Sequence, residues 1–266
     1  MTIQDSRELE FCVETLSRHG CPIFVVGGGS NLLVSDSGFR GAVVKLDGAF
    51  DFLERQGLRI RAGCATSLAK LVKQAQAWGL DGLSFAVGIP GTVGGAIAVN
   101  AGAFDCSVGE RLTSAVVHHR GRGYARVDRE EFGFGYRRTS FEEPAIILEA
   151  LFELEEADPL EIKRGMDDLL SQRIRSQPYR AQTAGCVFKN PEGAFAGELI
   201  ERTGCKGMRV GRAEVSKIHA NFIVNLGGAS ARDVLLLVER VRRRVEEREG
   251  VLLEREIVLL GEFEED

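Results

Sequence analysis

The sequence predicts an α+β protein in two parts, and three observations lead there. An apolar, strand-like run ends in three glycines, Ile23-Phe24-Val25-Val26-Gly27-Gly28-Gly29. A second glycine-dense segment, Gly88-Ile89-Pro90-Gly91-Thr92-Val93-Gly94-Gly95, follows an amphipathic helical pattern in the same half. Neither segment fits G-x-G-x-x-G in a strand–turn–helix setting with an acidic residue about 20 positions on, so a Rossmann domain is not the first reading. Beyond residue 155 the pattern changes to a smaller mixed unit, which places a single boundary there: 1–155 and 156–266.

The elements follow in order. Asp5 caps a first helix with Glu8 three residues on and Leu9, Cys12, Val13 and Leu16 on one face; Gly20 stops it. Strands follow at Ile23–Val26, 41–46 and 58–62. Ser67 caps a helix carrying Leu68, Leu71, Val72 and Ala75, which Gly79 ends. Further strands are expected at 114–118, 124–127 and 146–154. Asp158-Pro159-Leu160-Glu161 starts a helix that runs to Ser176, before Pro178. In the second part, residues 197–203 read as a short helix. Ala220, Phe222 and Val224 alternate with Asn221 and Asn225 as a half-buried strand does. Ser230 caps a long helix ended by Gly250, and residues 252–260 read as a final strand.

Composition removes several classes of function. The 266 residues suffice for a large core, and the net charge of −5 gives no reason to expect nucleic acid or an anionic membrane. No apolar run approaches the roughly 20 residues of a membrane span, and no signal peptide opens the chain. A cytoplasmic monomer acting on small molecules is the expectation. The six cysteines are scattered without a C-x-x-C pair, which excludes a zinc or disulfide framework. Most of them read as small core residues.

Chemistry is carried by a few segments. In Gly27-Gly28-Gly29-Ser30-Asn31, successive N–H groups can face one concavity and hold a phosphate. With Gly88, Ile89, Pro90, Gly91, Thr92, Gly94, Gly95 and the following Asn100-Ala101-Gly102, two loops without obstructing side chains suit a pyrophosphate-bearing dinucleotide. Phe132-Gly133-Phe134-Gly135-Tyr136-Arg137-Arg138 interleaves aromatics with glycine before paired arginines, a pattern for a flat or anionic ligand or for a surface pair beside an aromatic cluster. Ala184-Gly185-Cys186-Val187-Phe188-Lys189-Asn190 places a thiol after a glycine; it is either a proton donor or an inert buried cysteine. Glu254 and Glu256 interrupt an apolar strand, at a solvated end or in a polar pocket. His118 and His119 read as surface residues, and the charges between Arg240 and Glu249 as the solvated face of the last helix.

Six segments in order resemble the UDP-N-acetylenolpyruvoylglucosamine reductase family, in its shorter, type II branch: GGGSNLLVSD, GIPGTVGGAIAVNAGAF, FGYRRTSF, AGCVFKNP, SKIHANFIVN and LEREIVLLGE. The resemblance implies a FAD-binding domain of the p-cresol methylhydroxylase (vanillyl-alcohol oxidase) type, made of two α+β subdomains, with a third domain over the substrate. It implies that residues 27–31 hold the FAD pyrophosphate, and that residues 88–95 and 100–102 line the flavin. NADPH then reduces FAD and leaves; the enolpyruvyl sugar nucleotide takes a hydride at C3 and a proton at C2. By motif match Arg137 and Glu256 bind and polarise the substrate carboxylate, with Glu256 raised in pKa. Cys186 falls at the proton-donor position, where most relatives carry serine. Asn190 and Tyr136 fall beside the substrate. Thr139 stands where many relatives have serine. Relatives carry a further N-terminal segment that helps complete the flavin site, so weaker FAD retention is expected. A flavin oxidase of an alcohol or sugar, or a non-catalytic binding remnant, are the alternatives.

Overall fold

The structure, a computed structural model, describes residues 1–141 and 145–263. The chain forms two compact units, Met1–Gly29 with Gly41–Ser171 and Ser30–Arg40 with Gln172–Asp266. Against the expected single break near 155, it crosses between units three times, because Ser30–Arg40 packs with the second.

The first unit holds two principal sheets. One is parallel, in the spatial order Thr2–Ile3, Ala42–Leu46, Ile23–Val26. Helix α1, Ser6–Arg18, begins where Asp5 accepts from the N–H groups of Arg7 and Glu8 at 2.8 and 2.9 Å, as the sequence indicates. Leu9 and Val13 from α1 bury against Val44 and Leu46 of this sheet and against Ile146 and Leu148. The other sheet is antiparallel with five strands: Gly123–Asp128, Leu112–His119, Ala145–Glu153, Arg59–Gly63 and Leu53–Gln56. Along Ala145–Glu153 every second side chain is buried (Ile146, Leu148, Ala150, Phe152), the signature of a central antiparallel strand. Helices α2, Leu68–Ala77, and α3, Val93–Ala98, supply the core beside it, with Leu68, Leu71, Val93 and Ile97 all fully buried. The short α4 spans Val108–Arg111, and α5, Pro159–Ser176, carries the chain into the second unit.

Leu53–Gln56 carries no apolar alternation, since it is an edge strand whose residues beyond Leu53 are exposed. It pairs with Arg59–Gly63 across a turn at Gly57, φ 66°. His118, expected at the surface, is buried at 4% exposure, edge-on to Tyr124 with ring centroids 5.0 Å apart. Burial pushes its imidazole below the usual histidine range.

The second unit packs α6, Ala196–Arg202, and α7, Ala231–Glu249, on a three-stranded antiparallel sheet of Arg209–Val210, Ala213–Val215 and Ile223–Asn225. The expected alternation through 220–225 does not hold. Asn221 is 3% exposed and its amide exchanges two bonds with Phe188, accepting from N–H at 2.9 Å and donating to O at 2.7 Å. The final strand is shorter than expected, Val258–Leu260, parallel to Leu32–Val34. Residues 254–256 instead run beside Val187–Lys189 through isolated bonds, Glu256 N–H to Val187 O at 2.8 Å and Lys189 N–H to Glu254 O at 2.9 Å.

The start of α7 is capped twice. Ser230 and Asp233 form a reciprocal box. Asp36 reaches across 195 positions to accept from the N–H groups of Ala231 and Arg232 at 2.8 and 3.0 Å. A carboxylate there meets both the orphan donors and the positive end of the helix dipole. Asp36→Ala is expected to lower unfolding free energy by about 1 kcal/mol, read from the urea midpoint at unchanged slope. Asp36→Asn retains one acceptor and is expected to lose less.

Candidate functional site

The two glycine segments meet main chain to main chain in the first unit. A Cβ at Gly28 would lie 2.8 Å from Gly91 Cα, and one at Gly27 would lie 2.5 Å from Thr92 Oγ1. A Cβ at Gly94 would lie 3.0 Å from Cys64 Cβ. Only glycine permits that approach. The second loop is held by bonds from three directions. Leu68 N–H donates to Gly91 O at 3.0 Å, Val93 N–H to Thr66 O at 2.9 Å, and Gly94 N–H to Cys64 O at 2.9 Å. Gly88 and Gly91 adopt φ of 77° and 122°, so Ile89 and Pro90 sit on a turn that other residues resist.

A cleft of about 190 Å³ opens beside this contact, walled by Val26, Gly27, Cys64, Thr92, Gly95 and Ile147 among others. Burial pushes the Cys64 thiol up to about 12, so it is wall and not nucleophile at neutral pH. Gly102 and Ala103 begin a hairpin with Cys106–Ser107 whose corner residues, Phe104 and Asp105, are both left-handed. Ala101 is buried, and the Asn100 side chain, 6% exposed, is bonded within the protein, as described below.

The aromatic–glycine segment forms a two-residue turn. Gly135 N–H donates to Arg138 O at 3.0 Å and Arg138 N–H donates back at 3.2 Å. Arg137 occupies the second corner with φ 54°, its guanidinium carbon 5.9 Å from the Tyr136 ring centre. Phe132 is buried and stacks on Phe134 and Phe141, with centroids at 5.3 and 4.8 Å, so the aromatics anchor the base of the turn. Tyr136, at 55%, projects from it.

In the second unit the segment around Cys186 lies between two others. Cys186 bridges Phe222, Val187 N–H donates to Asn221 O at 2.8 Å, and on the other side Val187 accepts from Glu256 N–H. Cys186 and Glu256, 70 positions apart in sequence, are thereby brought to neighbouring backbone positions. Asn31 joins them: its amide donates to Glu256 O at 3.2 Å and its carbonyl accepts from Val258 N–H at 2.9 Å. Asn190 accepts from Ala196 N–H at 3.0 Å through its side chain, fixing the start of α6. Lys189 is paired with Glu254 at 2.6 Å and Lys206 with Glu201 at 2.7 Å. Glu254 is exposed, whereas Glu256 is half-buried. Sequence reasoning missed Asp36 and Asn221, whose partners lie far along the chain.

Gly28→Ala is expected to push the two loops apart and lower the thermal midpoint by roughly 4–8 °C. Gly165→Ala is the control, since no neighbouring atom lies within 4 Å and the site is inside α5. It is expected to leave the midpoint unchanged or raise it by about 2–4 °C. Equal midpoints for the two variants would show that the loops do not press on each other.

Residues 1–119 match the profile described as a FAD binding domain. Residues 177–260 match that of the UDP-N-acetylenolpyruvoylglucosamine reductase C-terminal domain. UDP-N-acetylenolpyruvoylglucosamine reductase 2 of Symbiobacterium thermophilum is 44% identical over 260 residues, which is 97% of this chain and 84% of that one. The reductase of Desulforamulus reducens is 41% identical, over 97% of this chain and 86% of its own. The crystal structure of UDP-N-acetylenolpyruvylglucosamine reductase from Thermus caldophilus superposes with a TM-score of 0.87 at 40% identity, covering 97% of this chain and 91% of that one. With both family profiles matched, and with relatives at this identity over nearly its whole length, the chain belongs to the UDP-N-acetylenolpyruvoylglucosamine reductase family.

Proposed function

We propose that the chain reduces UDP-N-acetylglucosamine enolpyruvate to UDP-N-acetylmuramate, with NADPH as the source of hydride and FAD as the carrier, in peptidoglycan precursor synthesis. The observation that carries this reading is the close approach of Gly28 to the Gly91 main chain and of Gly27 to the Thr92 hydroxyl, inside the region that matches a FAD binding domain. The residues present fit a flavin dinucleotide: a cleft walled by glycine, valine, isoleucine and a protonated thiol leaves the main chain open to close approach and has no charged lining residue. Gly27, Gly28, Gly29 and Ser30 would face the pyrophosphate. The 88–95 loop and Gly102 would lie along the ring system.

FAD supplies hydride transfer from NADPH to C3 of the enol ether. The chain's own residues do the rest. Arg137 would hold the substrate carboxylate with a guanidinium fork, and the charge that builds there during transfer is held by a donor fixed in advance. Cys186 would give its thiol proton to C2, leaving a thiolate that solvent reprotonates. Glu256, on the strand segment bonded to Val187, would share the carboxylate end of the site. Tyr136 and Asn190 would border the substrate. In this reading residues 1–155 are the FAD-binding domain, with the p-cresol methylhydroxylase type of fold, and residues 156–266 the substrate domain. Within the described residues no helix is long and apolar enough to cross a membrane, and a cytoplasmic monomer serving cell-wall growth and division is the corresponding cellular reading.

Purified protein is expected to be yellow and to oxidise NADPH only when the enolpyruvyl sugar nucleotide is supplied. Turnover of alcohols with oxygen instead would make it an oxidase. Cys186→Ala is expected to leave flavin reduction by NADPH within about twofold and to slow reoxidation by substrate about 10²–10⁴-fold, measured by stopped flow. Cys186→Ser, restoring a donor of similar shape, is expected to recover most of that loss. Arg137→Ala is expected to raise the substrate KM and slow the same half-reaction. Equal damage to both half-reactions would remove the assigned roles.

A further inference from the structure

The geometry points to Asn100 as a positioning residue that clamps the Arg137 turn against the second glycine loop. The inference rests on the reductase reading of Arg137. The side-chain amide donates to Gly135 O at 2.9 Å and its oxygen accepts from Gly109 N–H at 2.9 Å. Asn100 sits two residues beyond α3, with φ 44°, and is buried. It therefore ties three things together: the end of the glycine loop's helix, the start of α4, and the first residue of the turn that carries Arg137.

Gly135 O is already the acceptor for Arg138 N–H, so Asn100 supplies the second bond to that carbonyl and fixes the direction in which the turn opens. A left-handed arginine at a turn corner is strained and stays in place only where its surroundings over-determine it. Three features do so. Asn100 grips the carbonyl before the corner. Thr139 Oγ1 donates to Ala98 O at 3.3 Å after it. Gly109 has no side chain where a Cβ would lie 2.7 Å from the Phe134 ring and 2.8 Å from Asn100 Oδ1. Both ties run from the turn to the C-terminal end of α3, the helix whose first turn belongs to the glycine loop. Whatever orients that loop orients Arg137 with it. Asn100, which the sequence places along the flavin, acts in this arrangement through its amide on the arginine turn.

Asn100→Asp is nearly isosteric, keeps the acceptor for Gly109 N–H and removes the donor to Gly135 O. In the full-length holoprotein its amides at 135–138 are expected to exchange hydrogen faster than wild type. Reoxidation by the enolpyruvyl sugar nucleotide is expected to slow by roughly ten- to a hundredfold, well beyond any change in flavin reduction by NADPH. That deficit is expected to narrow as pH falls, because a protonated carboxyl regains a donor for Gly135 O. If the Asp variant does not fold, Thr139→Val removes the other tie and is expected to show the same faster exchange with a smaller split. Wild-type exchange in the turn overturns the clamp, and so does equal loss in both half-reactions. If the wild-type protein itself is not reoxidised by that substrate, the reductase reading fails, and the exchange rates alone still decide whether Asn100 holds the turn.

Discussion

The contact on which the first unit depends is the approach of Gly28 to Gly91, close enough that a methyl group on Gly28 would strike the main chain of Gly91. It forces two segments more than 60 positions apart in sequence to share one surface without side chains between them. Everything near it is arranged around keeping that surface open and stiff. Thr66, Cys64 and Leu68 bond the second loop. Thr92, whose hydroxyl caps α3 by accepting from Gly95 N–H at 3.4 Å, occupies the space that a Cβ at Gly27 would need. Glycine is costly in conformational entropy, so a loop of this composition is ordered only if neighbouring elements supply the bonds its own side chains cannot. Here they come from the strand Arg59–Gly63 side of the sheet and from the start of α2.

Much of this was legible in the sequence because it is local. Asp5, Ser67, Asp158 and Ser230 announce helices that begin at the next residue, and each caps one, since the cap and the N–H groups it serves lie within one turn. Glycine loops are legible for the same reason. What escaped depends on partners far along the chain. Asn221 looks like the polar half of an alternating strand until Phe188 is seen to use both ends of its amide. Asp36 carries no signal of its own in the sequence; its partner, α7, arrives 195 residues later to be capped by it. Leu53–Gln56 has no pattern because an edge strand with little burial needs none. Cys186 and Glu256 could be singled out as types; that a single backbone bond through Val187 makes them neighbours could not.

The same distinction explains where strain collects. Non-glycine residues with positive φ occur in the first unit at Asn100, Phe104, Asp105 and Arg137 among the described residues, all within or beside the segment that follows the glycine loop. At about 1–3 kcal/mol each, four such residues would be a large burden if they were merely tolerated. Asparagine and aspartate adopt this conformation more readily than most, which lightens two of the four. Phe104 and Arg137 have no such excuse. Arg137 is compensated by bonds at both ends of its turn, each leading back to the end of α3. A long flexible side chain on a rigid, left-handed corner loses less freedom on meeting a carboxylate than the same side chain on a mobile loop. If Arg137 is the carboxylate-binding residue proposed above, the strain is set at folding and the ordering cost that would otherwise fall on binding is reduced. A glycine at the corner would relieve the strain and lose the guanidinium; arginine there is consistent with a requirement for the charge in one direction.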